Sequence, residues 1–277
     1  KSRGWLDYLN IKDYQIFDSV EPNPSMETVE KILAEYNQTF SNVIGLGGGS
    51  SLDVAKFVAN KLKIKKILIP TTFGSGSEVT RISVLQIDGK KTSFHSDDLL
   101  ADISIIDPYF IKDAPFEIIK NSAIDACAQC TEAFDSKLAN IYTKFLCEKA
   151  FDILEKALID GTYENLAYGA MISGLGFGNS STTLGHALSY VYSNEGISHG
   201  HALSFTTTIA HQFNNSKFYD RFKFLVDKLN FKPIKLKQNL QNAAKLIQTD
   251  RKHLDNNPKN ISNDDIVNLL KLINSNN

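Results

Sequence analysis

The sequence predicts an α/β domain over residues 1–110 followed by an all-helical domain over residues 111–277. Three observations predict it. Short apolar runs at 43–46, 66–70 and 103–106 are separated by a helical stretch and loops, the rhythm of a parallel sheet covered by helices. The first run ends in Gly47-Gly48-Gly49 and passes directly into a helical pattern. After Pro115 only helical periodicity remains.

The elements follow in order. Trp5, Leu6 and Leu9 suggest a short helix, and residues 14–17 a strand. Residues 21–25 read as a loop, from which Ser25 and Thr28 open a helix running to about Tyr36. Residues 43–46 form a buried strand, 51–61 its helix and 66–70 the next strand. Residues 71–80 make a long loop rich in glycine and small hydroxyls at the carboxyl end of that strand, where ligands of open α/β sheets bind. Residues 82–87 and 90–95 pair as a hairpin about Asp88-Gly89. One more short strand spans 103–106, closed by Asp107-Pro108. Helices are expected near 116–134, 138–158, 163–178, 182–192, 201–212, 217–228, 236–248 and 264–274.

The turn at Val43-Ile44-Gly45-Leu46-Gly47-Gly48-Gly49-Ser50-Ser51-Leu52-Asp53-Val54-Ala55-Lys56 organises the first half. Glycine lets the backbone turn sharply and brings its N–H groups close to a ligand. Ser50 or Ser51 can cap the helix, and Asp53 suits the positive end of its dipole. Such a helix N-terminus is a ready phosphate cradle. A tight strand-to-helix connection without a ligand is the plainer alternative.

Composition excludes several classes. The 277 residues are 42% apolar and 22% charged, with a net charge of −1, so nucleic acid and anionic membranes are poor candidates as main partners. No apolar run approaches the roughly 20 residues that span a bilayer, and no secretory signal is visible. Three cysteines suggest a reducing, cytoplasmic compartment. Cys127-x-x-Cys130 lacks a second pair and sits in an alanine-rich helical pattern, so helix packing is expected of it. The chain opens at Lys1, and an element before it is expected.

The second half carries the chemistry. Four of the six histidines, His186, His199, His201 and His211, lie close together in sequence. Asp125 and Gln129 share a helix face at i and i+4. Asp125 stands among apolar neighbours, where a lone carboxylate is costly unless paired or bound to metal. With His186 and His199 it could form a mixed N/O site for a divalent transition metal. The spacing equally allows satisfied helix-end histidines and a capping aspartate.

These residues resemble those of the iron-containing (group III) alcohol dehydrogenase family, in the superfamily that also holds glycerol dehydrogenase and dehydroquinate synthase. The resemblance is carried by Gly47-Gly48-Gly49-Ser50 with Asp53-Val54-Ala55-Lys56, Pro70-Thr71-Thr72 with Gly76-Ser77-Glu78-Val79-Thr80, Ile124-Asp125-Ala126, Gly176-Phe177-Gly178-Asn179 with His186-Ala187, His199-Gly200, and Asn257-Pro258. It covers nearly the whole chain. It implies a dehydroquinate synthase-like fold, with an α/β dinucleotide-binding domain whose first strand precedes Lys1. It further implies an NAD- or NADP-dependent oxidoreductase. The pyrophosphate would sit on Gly48, Gly49 and Ser50, with Asp53, Thr71, Thr72, Ser75 and Thr80 lining nicotinamide and ribose. The family's lysine after the hairpin turn falls on Lys90 or Lys91, with Lys91 the choice. Asp125, His186 and His199 match three of four family metal ligands. The fourth, usually histidine, is Gln129, and a further family histidine is Tyr190. Gln129 offers only a carbonyl oxygen, so iron, zinc, another divalent ion and an empty site all stay open.

In the implied reaction Tyr190 and His201 are candidates for substrate contact or proton relay. The set around Gln129, Tyr190 and His201 resembles a branch that includes phosphonoacetaldehyde reductases, which implies a small anionic aldehyde. The hydroxyls of Ser180, Ser181, Thr182 and Thr183 could receive its phosphonate. A dehydroquinate synthase-like lyase or cyclase, and a non-catalytic nucleotide-binding relative, are the alternatives. No heptad seam marks the helical surfaces, which leaves a homo-oligomer open.

Overall fold

A computed structural model describes residues 4–36, 39–162 and 164–275. α1 (Trp5–Leu9) and α2 (Met26–Glu35) lead into the first sheet. Ser25 caps α2 by accepting the Thr28 N–H, and Glu21 in turn accepts the Ser25 N–H and both hydroxyls. The strand expected at 14–17 is not formed. Among the described residues that stretch pairs with no other strand and is tied instead by the Tyr36 hydroxyl, which donates to Ile16 O at 2.6 Å. An apolar run makes a strand only where a neighbour supplies a ladder.

β1 (Asn42–Gly47), α3 (Gly49–Leu62) and β2 (Lys65–Pro70) form a βαβ unit with parallel register. β3 (Ile82–Ile87) and β4 (Lys90–His95) make the expected hairpin, with Asp88 and Gly89 both at positive φ. β5 (Ile103–Ser104) adds to β2 in parallel. The strands therefore form a three-stranded sheet, β1-β2-β5, and a separate two-stranded one, rather than a single sheet. α3 lies between them, against β1 and β2 on one side and β3 on the other. This position explains its nearly continuous burial from Leu52 to Ala59.

The rest is helical: α4 (Phe116–Asp135), α5 (Ile141–Asp160), α6 (Glu164–Ser180), α7 (Leu184–Ser193), α8 (His199–Asn214), α9 (Tyr219–Lys228), α10 (Leu240–Gln248), α11 (Arg251–Asn256) and α12 (Asn263–Ser275). α5 begins at 141 because Asn140 and Thr143 form a capping box there. α11 was not expected; Asp250 caps it through the His253 N–H. α4 packs against α5, α6, α7 and α8. Its inward face is built from Ala123, Ala126, Cys127, Ala128, Cys130 and Ala133, all fully buried. Such small side chains let helix axes approach closely. The three cysteines are free and buried, as packing residues. No helix among the described residues is long and apolar enough to cross a membrane.

The glycine turn is held in place by close contacts. A Cβ on Gly45 would meet Ala55 Cβ at 2.8 Å and Leu68 Cδ2 at 2.9 Å. Gly45→Ala should therefore lower stability by about 1–3 kcal/mol through overpacking at the β1–α3 crossing. Urea denaturation reads this as a lower midpoint; an unchanged midpoint would mean that the crossing relaxes freely.

Candidate active site: a cleft between a helix N-terminus and a carboxylate–histidine cluster

A cleft of about 250 Å3 separates α3 from the helical half. On one wall Gly48 is the N-cap of α3, and neither Ser50 nor Ser51, both inside the helix, caps its first N–H groups as expected, which leaves them for an anion. Gly49 and Ser50 line the cleft here. Thr71 donates its N–H to Gly47 O at 2.9 Å and closes the turn. Thr72 Oγ1 stands 3.1 Å from where a Gly48 Cβ would lie, and Ser75 Oγ 2.9 Å from a Gly49 Cβ. Ser75 and Thr80 line the cleft, whereas Gly48, Thr71 and Thr72 are not among its lining residues.

Asp53 also borders the cleft, but both its carboxylate oxygens are engaged by protein. They accept the Ser77 hydroxyl at 2.6 Å and the Val84 N–H at 2.9 Å. Burial pushes its pKa up. Three residues on, buried Lys56 donates to the carbonyls of Thr80 at 2.9 Å and Ile82 at 2.7 Å. Burial lowers this ammonium to about 8 against the pull of Asp53 and Glu78. Asp53 and Lys56 thus fasten the 71–80 loop to α3. Gly76, at φ +61°, lets the same loop lie on α6, where a Cβ would meet Gly174 Cα at 2.8 Å.

On the opposite wall α4 presents Asp125 and, one turn later, Gln129. His186 comes from the start of α7, and His199 is the first residue of α8. Both histidine Nε2 atoms lie 3.8 Å from Asp125 Oδ1. One ligand atom from each of the three residues falls within 4.8 Å of the others. Gln129 Nε2 donates to Asp125 Oδ1 at 3.0 Å, while its Oε1 is buried without a partner, as is His199 Nδ1. Glycines make this convergence feasible. A Cβ on Gly185 would collide with Glu132 Oε1, and one on Gly200 with Asn121 O.

His186 is oriented by Glu132, a residue sequence reasoning missed. Nδ1 lies 3.1 Å from Glu132 Oε1. The same carboxylate accepts the Thr183 N–H at 2.7 Å, the Thr183 hydroxyl at 3.1 Å and the Thr207 hydroxyl at 3.0 Å. Burial opposes the charge, but His186 and these donors hold the carboxyl well below its usual range, at about 2. In the same way burial works against imidazolium at His186, and the neighbouring carboxylates outweigh it. Around His199 desolvation dominates and lowers it to about 4. The signal was present in the chain: Glu132 follows Asp125 by seven residues and shares its helix face.

The donor set fits a divalent ion. It offers one carboxylate oxygen, two imidazole nitrogens and an orphaned amide oxygen, with His186 held through its other nitrogen by a carboxylate. Ligands at about 2 Å from one ion stand up to roughly 4 Å apart, and the observed 3.8 Å pairs meet that limit.

Tyr190 and Lys91 also line the cleft. Tyr190 stacks on His199 with ring centroids 6.3 Å apart. Its hydroxyl is pushed well above the ordinary tyrosine range, mainly by burial. His201 is not brought there. Its Nε2 pairs with Lys232 O at 2.6 Å and its ring lies near Phe231. Of the four hydroxyls offered to an anion, Ser181 and Thr182 line the cleft. Ser180 donates to Gly176 O and Thr183 serves Glu132. Two further residues went unforeseen. Lys252 and His253, on α11, complete the wall, and His253 Nδ1 is held by Asp250 at 2.7–2.8 Å.

Comparison with known proteins identifies the family. Residues 5–108 match the family model described as iron-containing alcohol dehydrogenase, and residues 119–249 match its C-terminal counterpart. Long-chain-alcohol dehydrogenase 1 of Geobacillus thermodenitrificans is 35% identical over 63% of this chain, which spans about half, 52%, of that relative's length. 4-Hydroxybutyrate dehydrogenase of Clostridium kluyveri is 29% identical over 90% of this chain and 83% of its own. The solved structure of an iron-containing alcohol dehydrogenase from Thermotoga maritima superposes with a TM-score of 0.86 at 25% identity, covering 99% of this chain and 86% of the other.

Replacing Glu132 by Gln should weaken divalent-ion binding about 10- to 100-fold, because the orienting charge on His186 is lost. Competition with a fluorescent chelator measures it. Unchanged affinity would mean that His186 does not ligate through the ring that Glu132 holds.

Proposed function

The chain belongs to the iron-containing alcohol dehydrogenase family, and we propose that it is an NAD- or NADP-dependent, metal-assisted reductase of a small anionic aldehyde, acting as an alcohol dehydrogenase in reverse. Phosphonoacetaldehyde and the aldehyde corresponding to 4-hydroxybutyrate are the kind of substrate meant. The observation that carries the reading is the pairing of two walls. An uncapped helix N-terminus faces, across one cleft, a carboxylate–imidazole cluster with an orphaned amide oxygen. The relative named 4-hydroxybutyrate dehydrogenase, whose substrate carries a carboxylate, supports the anionic class. A reducing cytoplasmic setting belongs to the same reading, supported by three free thiols.

Asp125, His186, His199 and Gln129 would hold the ion, and Gly48, Gly49 and Ser50 the pyrophosphate. When bound, the ion supplies Lewis acidity and the nicotinamide supplies hydride. The remaining work falls to the chain itself. Glu132 fixes the His186 ring, so the carbonyl oxygen meets a preformed site. Tyr190 stays protonated and can donate its hydroxyl to that oxygen. His253, held at Nδ1 by Asp250, has Nε2 left to carry the proton that the product alcohol requires. The 71–80 loop, clamped by Asp53 and Lys56, would flank the bound cofactor.

Steady oxidation of NADH or NADPH in the presence of an aldehyde tests the reading. Chelation should abolish it and a divalent ion restore it. Conversion with no net change in nicotinamide absorbance would instead indicate a synthase-like cycle. At the other wall, Gly49→Ala should raise the cofactor KM roughly tenfold, about 1.4 kcal/mol, because its Cβ crowds Ser75. An unchanged KM would remove Gly49 from the pyrophosphate cradle.

A further inference from the structure

β4 alternates its side chains, so Lys91, Ser93 and His95 share one face. Lys91 and Ser93 of that face line the cleft. Beside them stands Lys252 of α11, whose ammonium lies 2.7 Å from His95 Nε2. His95 Nε2 is in turn 3.0 Å from Ser93 Oγ. This contact joins residues 157 positions apart, at the end of the cleft that Ser93 and Lys252 line.

The charge balance at this end is one-sided. Among the described residues no carboxylate lies within 4.0 Å of the Lys252 or Lys91 ammonium. Asp250, two residues before Lys252, is committed to His253. His95 cannot balance Lys252. Desolvation, reinforced by the charges of Lys252 and Arg81, holds it down at about 4, so it stays neutral and acts as an acceptor. An ammonium at a cleft rim whose partner is a neutral ring is free to exchange that partner for an anion, which makes the stronger hydrogen bond.

The position also fits a substrate tail. His253, adjacent to Lys252, stacks on His186 with centroids 6.2 Å apart and meets Tyr190 edge-on at 5.8 Å. The Lys252 end therefore adjoins the carboxylate–histidine cluster, while the helix N-terminus of Gly49 and Ser50 occupies the α3 wall.

We propose that Lys252, with Ser93 beside it on the hairpin, binds the anionic tail of the substrate aldehyde and sets the enzyme's preference for carboxylate- or phosphonate-bearing aldehydes over neutral ones. This rests on the reductase reading. The tail's oxygens take the Lys252 ammonium from His95 and the Ser93 hydroxyl with it. Because one donor comes from the hairpin and the other from α11, a bound tail links the two halves of the protein.

The test uses matched pairs: succinate semialdehyde against butyraldehyde, and phosphonoacetaldehyde against propionaldehyde, with metal-loaded enzyme and NADH or NADPH. The native protein should favour the anionic member of at least one pair in kcat/KM, and the favoured pair identifies the tail. Lys252→Met should lower that anionic-to-neutral ratio by roughly 10- to 100-fold, mostly through KM, the range of a charged hydrogen bond. Lys252→Arg should retain most of the ratio. Ser93→Ala, which leaves α11 untouched, should lower the same ratio by a smaller factor and gives the answer if the Met variant does not fold. Equal losses on both members of a pair, or no anionic preference in the native protein, overturn the tail site alone. Absence of nicotinamide oxidation with every aldehyde overturns the reductase reading and the tail site with it.

Discussion

A fully enclosed carboxylate governs the helical half. Glu132 is 1% exposed, and a charge so placed is tolerated only when hydrogen bonds replace its hydration. Thr183, Thr207 and His186 provide those bonds from α8 and from the start of α7. Satisfying Glu132 therefore fixes how α7 and α8 meet α4. That in turn brings His186 and His199 to the same oxygen of Asp125. Gly185 and Gly200 are the steric counterpart of this demand, since any side chain there would strike α4 residues.

The α/β half obeys a similar rule with a different outcome. Asp53 and Lys56 are ionisable, buried and turned toward backbone and hydroxyl partners from 77 to 84. They hold a polar loop rigidly beside a helix whose first N–H groups lack a side-chain cap. In each half buried charge is used to position neighbouring groups, and the groups so positioned face each other across the cleft. Rigid support of this kind matters because productive geometry tolerates little displacement.

Much of this was legible in the chain, and the reasons differ by element. The glycine turn, the Asp88-Gly89 hairpin and the long helices declare themselves through local periodicity and turn chemistry. The cluster of Asp125, Gln129, His186 and His199 was suggested by family resemblance, and the structure brings all four to one cleft. What escaped was non-local. The run at 14–17 looks like a strand but has no ladder partner among the described residues. His201 lies two residues from His199 in sequence, yet its ring turns toward Lys232. Glu132 finds its partners 51 to 75 residues away, and the contact between Lys252 and His95 spans 157. Local patterns report which face a residue occupies, not what a distant segment will bring to it.

X-ray absorption at the edge of the bound metal in the loaded protein tests the central claim most directly. Asp125, Gln129, His186 and His199 predict a first shell of nitrogen and oxygen only, with the outer-shell scattering of two imidazoles. That imidazole signal should be lost when His186 and His199 are both replaced. Sulfur in the first shell, or a spectrum unchanged by that double replacement, would contradict the account.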